Sequence, residues 1–257
     1  MKHNLQVTLI LIFLFLAAQY IGIAIIRNSE TLPFDVNRPV FSEEYGSLQL
    51  FGYILVASAI AFLISFLSLA VLWRIIFFLS VLFCLTIAFG AFMSDLPAFA
   101  LALLLTLGKT FRIHQLIHNF TELFIYGGLA AVFVPSLNLM SISILLILIS
   151  IYDGIAVWKT KHMIAMAKFQ TKAKMFSGLL IPYQKRVAML GGGDIGFPLI
   201  FSGVAYNALG IKALTIPAVV ALSLFILLMQ GEKNKFYPAM PFLTVGCFIG
   251  YFLTLVF

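Results

Sequence analysis

Nine of the 257 residues are Asp or Glu. Glu30, Asp35, Glu43 and Glu44 share one polar stretch, Asp95 and Glu232 stand in turns, and Glu122 falls at the boundary of an apolar run. Asp153 and Asp194 differ, because each lies inside a run apolar enough to cross a membrane. A carboxylate at bilayer depth costs roughly 2.5–3.5 kcal/mol on insertion scales. Acids held there line a cavity, face one another or move ions. Two carboxyls in contact cannot both ionise cheaply, so such a pair shares one proton and titrates as a unit.

The surroundings of both acids are unusual. Gly191, Gly192 and Gly193 precede Asp194 at the start of an apolar run. Each glycine costs about 1 kcal/mol inside a helix, but lets another backbone come close. Pro198 follows one turn after Asp194 and loosens that helix. Tyr152 precedes Asp153 and offers a hydroxyl donor, or serves as an interfacial tyrosine. A third segment, Tyr237-Pro238-Ala239-Met240-Pro241, opens the last apolar run. Its two prolines remove backbone donors, and irregular backbone at membrane depth is tolerated only beside protein or a wet cavity.

The elements that must position these groups follow from composition. Apolar residues make up 63% of the chain and charged residues only 10%, and Phe occurs 27 times. That excludes a soluble domain and a disordered chain, and leaves an all-α polytopic membrane protein. A membrane helix needs about 20 mostly apolar residues. Nine candidate transmembrane helices result: Leu5–Ile26, Leu48–Leu72, Ile75–Met93, Leu96–Gly108, Phe120–Val134, Ser136–Trp158, Leu190–Ala208, Ala213–Gln230 and Pro238–Phe257. The first is read as a retained helix, because its apolar run outlasts a signal peptide's.

Lys and Arg accumulate on the cytoplasmic side. With the N-terminus inside, the inner side holds Lys2, Arg74, Lys109, Arg112, Lys159, Lys161, Lys168, Lys172, Lys174, Lys185, Arg186, Lys233 and Lys235. The outer side holds only Arg27, Arg38 and Lys212. The N-terminus is therefore expected in the cytoplasm and the C-terminus outside it. The +7 net charge is a topology signal and does not imply nucleic acid. The chain divides into helices one to six (1–158), a basic cytoplasmic connection (159–189) and helices seven to nine (190–257). In the connection, Lys161, Lys168 and Lys172 alternate with Ile164, Met166, Phe169, Met175 and Phe176, which suits a basic helix at the headgroups or a solvated loop.

Depth places the chemistry. Asp153 precedes the inner boundary at Trp158–Lys159 by about five residues, roughly 8 Å of helix. Asp194 follows the boundary near Leu190 by about four residues, roughly 6 Å. Consecutive helices run antiparallel, so the two carboxyls share one layer with the Pro238–Pro241 segment.

In their order, spans and sidedness, Tyr152-Asp153, Gly191-Gly192-Gly193-Asp194 and Pro238-Ala239-Met240 resemble the YD, GxGD and PAL motifs of the presenilin and signal peptide peptidase family. The run Asp194-Ile195-Gly196-Phe197-Pro198 resembles the signal peptide peptidase form, and the short loops resemble the archaeal members. Met240 departs from the family's Leu, a swap of similar volume. The resemblance implies an intramembrane aspartyl endopeptidase with a presenilin-like fold. Asp153 and Asp194 would be catalytic, and Tyr152, Gly191, Gly192, Gly193, Pro238, Ala239 and Met240 would bind substrate. It implies no metal, no cofactor and no obligatory protein partner. The substrates would be transmembrane segments or remnant signal peptides, met in the lipid bilayer of a prokaryotic cell membrane.

Other readings remain at this stage. The two acids could be the proton relay of a secondary transporter, although they lie near one face and no inverted repeat is visible. A prepilin-peptidase type of protease also carries GxGD, and a scaffold that binds membrane helices without cutting them is a third possibility. Among lesser candidates, His114 and His118 are spaced as on one helix face but read as an interfacial basic cluster. Asn119-Phe120-Thr121 matches a glycosylation pattern on the inner side, and Gly127-Gly128 suits helix packing. Cys84 and Cys247 lie in apolar runs and read as small apolar residues.

Overall fold

A computed structural model describes residues 4–42, 45–111, 114–159, 166, 169–170, 175–183, 186–231 and 237–256, with only the backbone at 186. The described residues form α1 (Leu5–Asn28), α2 (Gly46–Phe66), α3 (Ala70–Gly90), α4 (Asp95–Phe111), α5 (Gln115–Phe133) and α6 (Leu139–Gly154). A β-hairpin of β1 (Gly178–Tyr183) and β2 (Arg186–Gly191) follows, then α7 (Gly192–Leu209), α8 (Thr215–Gln230) and α9 (Met240–Val256). Among the described residues, six helical stretches are long and apolar enough to cross a membrane, and one of them, Gly192–Gln230, is α7 and α8 joined through a 3₁₀ turn. Met240–Val256 is a shorter apolar helix.

Each expected apolar run overlaps a helix among the described residues, but boundaries move. The run from Leu48 to Leu72 does not stay one helix. It breaks at Leu67–Leu69, where Ser68 takes a left-handed φ of 54°, and α3 starts at Ala70. Arg74 therefore lies within the first turns of α3 rather than between two helices. The flanking residues are as apolar as the helices, so hydropathy carries no trace of the break.

The helical fold carries one addition, a β-hairpin. The second half of the 159–189 segment is a strand, paired antiparallel from Gly178 opposite Gly191 to Tyr183 opposite Arg186. Leu179, Leu180 and Ile181 are too short a run for a membrane helix but fit a strand bounded by glycine. Leu190 belongs to this hairpin, so the following helix begins at Gly192. The expected basic helix around Lys161, Lys168 and Lys172 lies outside the described residues, as do Lys2, Glu43, Glu44, Arg112, Lys174, Lys185, Glu232, Lys233 and Lys235.

Helix α7 is the centre of the packing. It touches α1, α5, α6, α8 and α9, and its Ile195, Leu199, Phe201 and Ala205 are fully buried. Small residues make these approaches possible, as membrane helix interfaces require. Gly22 of α1 receives Leu199, and Gly203 of α7 receives Ile26 and Val134. On α5, Gly127 packs on Ile25 and Gly22, and Gly128 packs on the Cys84 backbone of α3. Both cysteines are buried and free.

Candidate active site

Asp153 lies in the last turn of α6 and is almost fully buried. Its Oδ2 accepts from the backbone N–H of Met240 at 3.1 Å, and its carboxyl also engages the N–H of Ala239. Met240 is the first residue of α9. The first amides of a helix have no partner within it and carry partial positive charge. Asp153 thus caps a helix on the other side of the site. Pro241 suits this position, because a proline in the first turn removes no intrahelical bond.

Asp194 repeats the device within its own helix. It is the third residue of α7, and its carboxylate accepts from the N–H of Gly191, the residue that caps that helix. An acid at this third position commonly reaches back to the capping amide, and the helix dipole favours it. A Cβ on Gly191 would stand 3.2 Å from Asp194 Oδ2, so the glycine leaves room for the carboxylate to fold back. Pro198 supplies no amide to the Asp194 carbonyl one turn earlier. Beside it, the amide of Gln19 on α1 donates to the Ile195 carbonyl at 2.9 Å.

Helices α6, α7 and α9 touch one another pairwise. At their junction Asp153 and Asp194 are close enough for their charges to interact. One turn from both Asp153 and Met240, Ser150 and Thr244 hydrogen-bond at 2.7 Å and tie α6 to α9. Of the other candidates, Tyr152 and Ala239 are half-buried, Pro238 and Met240 buried, and Gly193 exposed. Gly192 has no space for a side chain: a Cβ there would lie 2.9 Å from both Ser177 Oγ and Tyr126 Oη. Among the described residues, no three His, Cys, Asp or Glu side chains group as metal ligands would.

Sequence reasoning missed a second polar cluster. Glu122 is not interfacial but fully buried, and Lys109 is not a cytoplasmic loop charge. Lys109 Nζ meets Glu122 Oε1 at 2.6 Å and Thr121 Oγ1 at 3.0 Å. Tyr126 donates to Glu122 Oε2, which also accepts from the Gly178 N–H at 3.0 Å. His118 has a carboxylate neighbour, with Nε2 at 3.9 Å from Glu122 and 2.8 Å from the Gly178 carbonyl. Asn119 clamps β1, donating to the Leu180 carbonyl at 2.8 Å and accepting from its N–H at 3.0 Å. The i, i+4 spacing of His118, Glu122 and Tyr126 on α5 was the available signal.

Comparison with known proteins adds three results. Residues 47–193 match the family model described as "Signal-peptide peptidase, presenilin aspartyl protease". That segment includes Asp153 and ends one residue before Asp194. Two structures of a presenilin family intramembrane aspartate protease, in C222 and P2 space groups, superpose with TM-scores of 0.70 and 0.69 at 21% identity. The first likeness covers 97% of this chain and 98% of the other, and the second 96% of each. The comparison with curated protein sequences gives no match. Nothing in these likenesses points to a transporter. With more than half of its length matched and the same fold along nearly all of it, the chain belongs to the signal-peptide peptidase and presenilin aspartyl protease family.

Proposed function

We propose that this protein cleaves peptide bonds inside transmembrane segments or remnant signal peptides, with Asp153 and Asp194 as the catalytic pair. The observation that carries this reading is that Asp153 and Asp194 stand on neighbouring helices, α6 and α7, where both meet the start of α9. A pair that shares one proton does both halves of the chemistry. The ionised member takes a proton from a water, which attacks the scissile carbonyl. The protonated member donates to that carbonyl's oxygen as the tetrahedral centre forms. The helix-start amides of Gly191 and Met240 orient the two carboxyls. No metal or cofactor takes part.

The chain is read as nine membrane crossings with the N-terminus in the cytoplasm, which puts the pair near the cytoplasmic face. A substrate helix hides its amides in its own hydrogen bonds and must unwind locally to be cut. The unwound stretch would add as a strand between the start of α7 and the Pro238–Pro241 segment. Support comes from β2, which is an edge strand of a two-stranded sheet and runs directly into Gly192. Tyr152, the three glycines and Pro238-Ala239-Met240 would line that path.

The test is cleavage of a reconstituted transmembrane peptide. Asp194→Ala should abolish the product while the protein still purifies folded. Persisting product from a folded Asp194→Ala protein refutes the assignment. A parent protein that binds the peptide without cutting it is a scaffold.

A further inference from the structure

The buried cluster on α4 and α5 has no part in the chemistry just described. The side chains of Lys109 and Glu122 are 1% and 0% exposed, inside the protein. A buried ion pair is weak support for stability, because desolvation offsets most of the attraction. Charges kept in such a place generally serve a site. What these charges hold is specific. Glu122 Oε2 takes the Gly178 N–H, and His118 takes the Gly178 carbonyl. Gly178 sits at φ +141°, where a side chain would strike the Leu190 carbonyl, and that conformation turns its amide toward Glu122. Its strand partner is Gly191, whose N–H Asp194 accepts. The preceding Ser177 accepts the Gly192 N–H at 3.1 Å, and its side chain bonds Tyr126. Tyr126 packs against Gly192 itself and interacts with the charge of Asp194.

We infer that Glu122, neutralised by Lys109 and joined by Tyr126, is a positioning residue that fixes Ser177, Gly178 and the Gly192 turn and so aims Asp194. This rests on the proposed role of Asp194. The acceptor matters, since Glu122 Oε2 is the atom that meets both Tyr126 and Gly178.

Two charge-neutral replacements separate aiming from folding. Lys109→Met with Glu122→Gln keeps an acceptor for Gly178, whereas Lys109→Met with Glu122→Leu does not. The measurements are kcat and KM for a transmembrane peptide, melting temperature in detergent, and amide hydrogen exchange across 177–193. The Gln pair should keep kcat and exchange close to the parent. The Leu pair should lose kcat roughly tenfold to a hundredfold, as small misplacements of reacting groups do. Its KM should hold, and the 177–193 amides should exchange faster. A folded Leu pair with parental kcat overturns the inference, whatever its exchange. If the Leu pair does not fold, Tyr126→Phe decides, because it keeps both charges: kcat should fall with KM and melting temperature unchanged, and an unchanged kcat overturns the inference. If the parent cuts nothing, the protease reading fails by itself, and the exchange data then decide whether Glu122 holds this segment.

Discussion

Met240 donates its backbone N–H to Oδ2 of Asp153 across 3.1 Å, so a carboxyl at the end of α6 caps the start of α9. Asp194 caps the start of α7 through Gly191 in the same manner. Each acid is therefore held by helix-start amides that have no other partner. The two candidate motifs around Asp153 and Pro238-Ala239-Met240 are in this sense one structural unit, built from both halves of the chain.

Asp153→Asn should separate charge from capping. Asn still accepts from Met240 but cannot exchange a proton with water. Cleavage should drop by roughly 10²–10⁴, the usual worth of a general acid or base, with little change in melting temperature. Asp153→Ala should also destabilise the protein by about 1–3 kcal/mol, because a buried amide loses its partner. Equal melting temperatures for the two variants would contradict the capping relation.

The proposed mechanism uses one protonated and one ionised carboxyl, so kcat/KM plotted against pH should be bell-shaped. The acid limb reports protonation of both, and the alkaline limb ionisation of both. A profile with no alkaline limb, the ionisation of the second carboxyl, would argue against a shared proton.

Ser150 and Thr244 test the α6–α9 contact. A double-mutant cycle of Ser150→Ala and Thr244→Val should give a coupling of about 0.6 kcal/mol, typical of hydrogen bonds between membrane helices. Zero coupling, read from unfolding in mixed micelles, would mean that the two hydroxyls do not tie these helices.

Lys109→Met by itself leaves the Glu122 carboxylate buried without its cation, at a cost of about 3–5 kcal/mol. Adding Glu122→Gln should recover most of that loss. Melting curves of the single and double variants check this, and a double variant less stable than the single would exclude the ion pair.

Gly178→Ala should cost about 1–3 kcal/mol, since its φ of +141° is strained for any side chain and the Cβ meets the Leu190 carbonyl. Loss of stability by chemical denaturation is the readout. A neutral effect would mean that the hairpin starts in another conformation.

Much was legible in the chain itself. Composition dictates a membrane protein, because so few charges cannot solvate so much apolar surface. Hydropathy locates the helices, and Asp153 and Asp194 stand out because carboxylates are costly at that depth. The Leu67–Leu69 break escaped, since a turn among apolar residues leaves hydropathy unchanged. The hairpin escaped because a six-residue strand beside basic residues reads as loop.

What only the tertiary structure decided is which groups meet. Lys109 and Glu122 look like boundary charges in the chain, yet pair inside the protein because α4 and α5 pack together there. Asp153 and Met240 are separated by 87 positions, and no local pattern encodes a carboxyl on one helix filling the empty amides of another. Hydropathy reports how each segment partitions between lipid and water. Hydrogen-bond pairing depends on the distances between segments, and those exist only after the helices have packed.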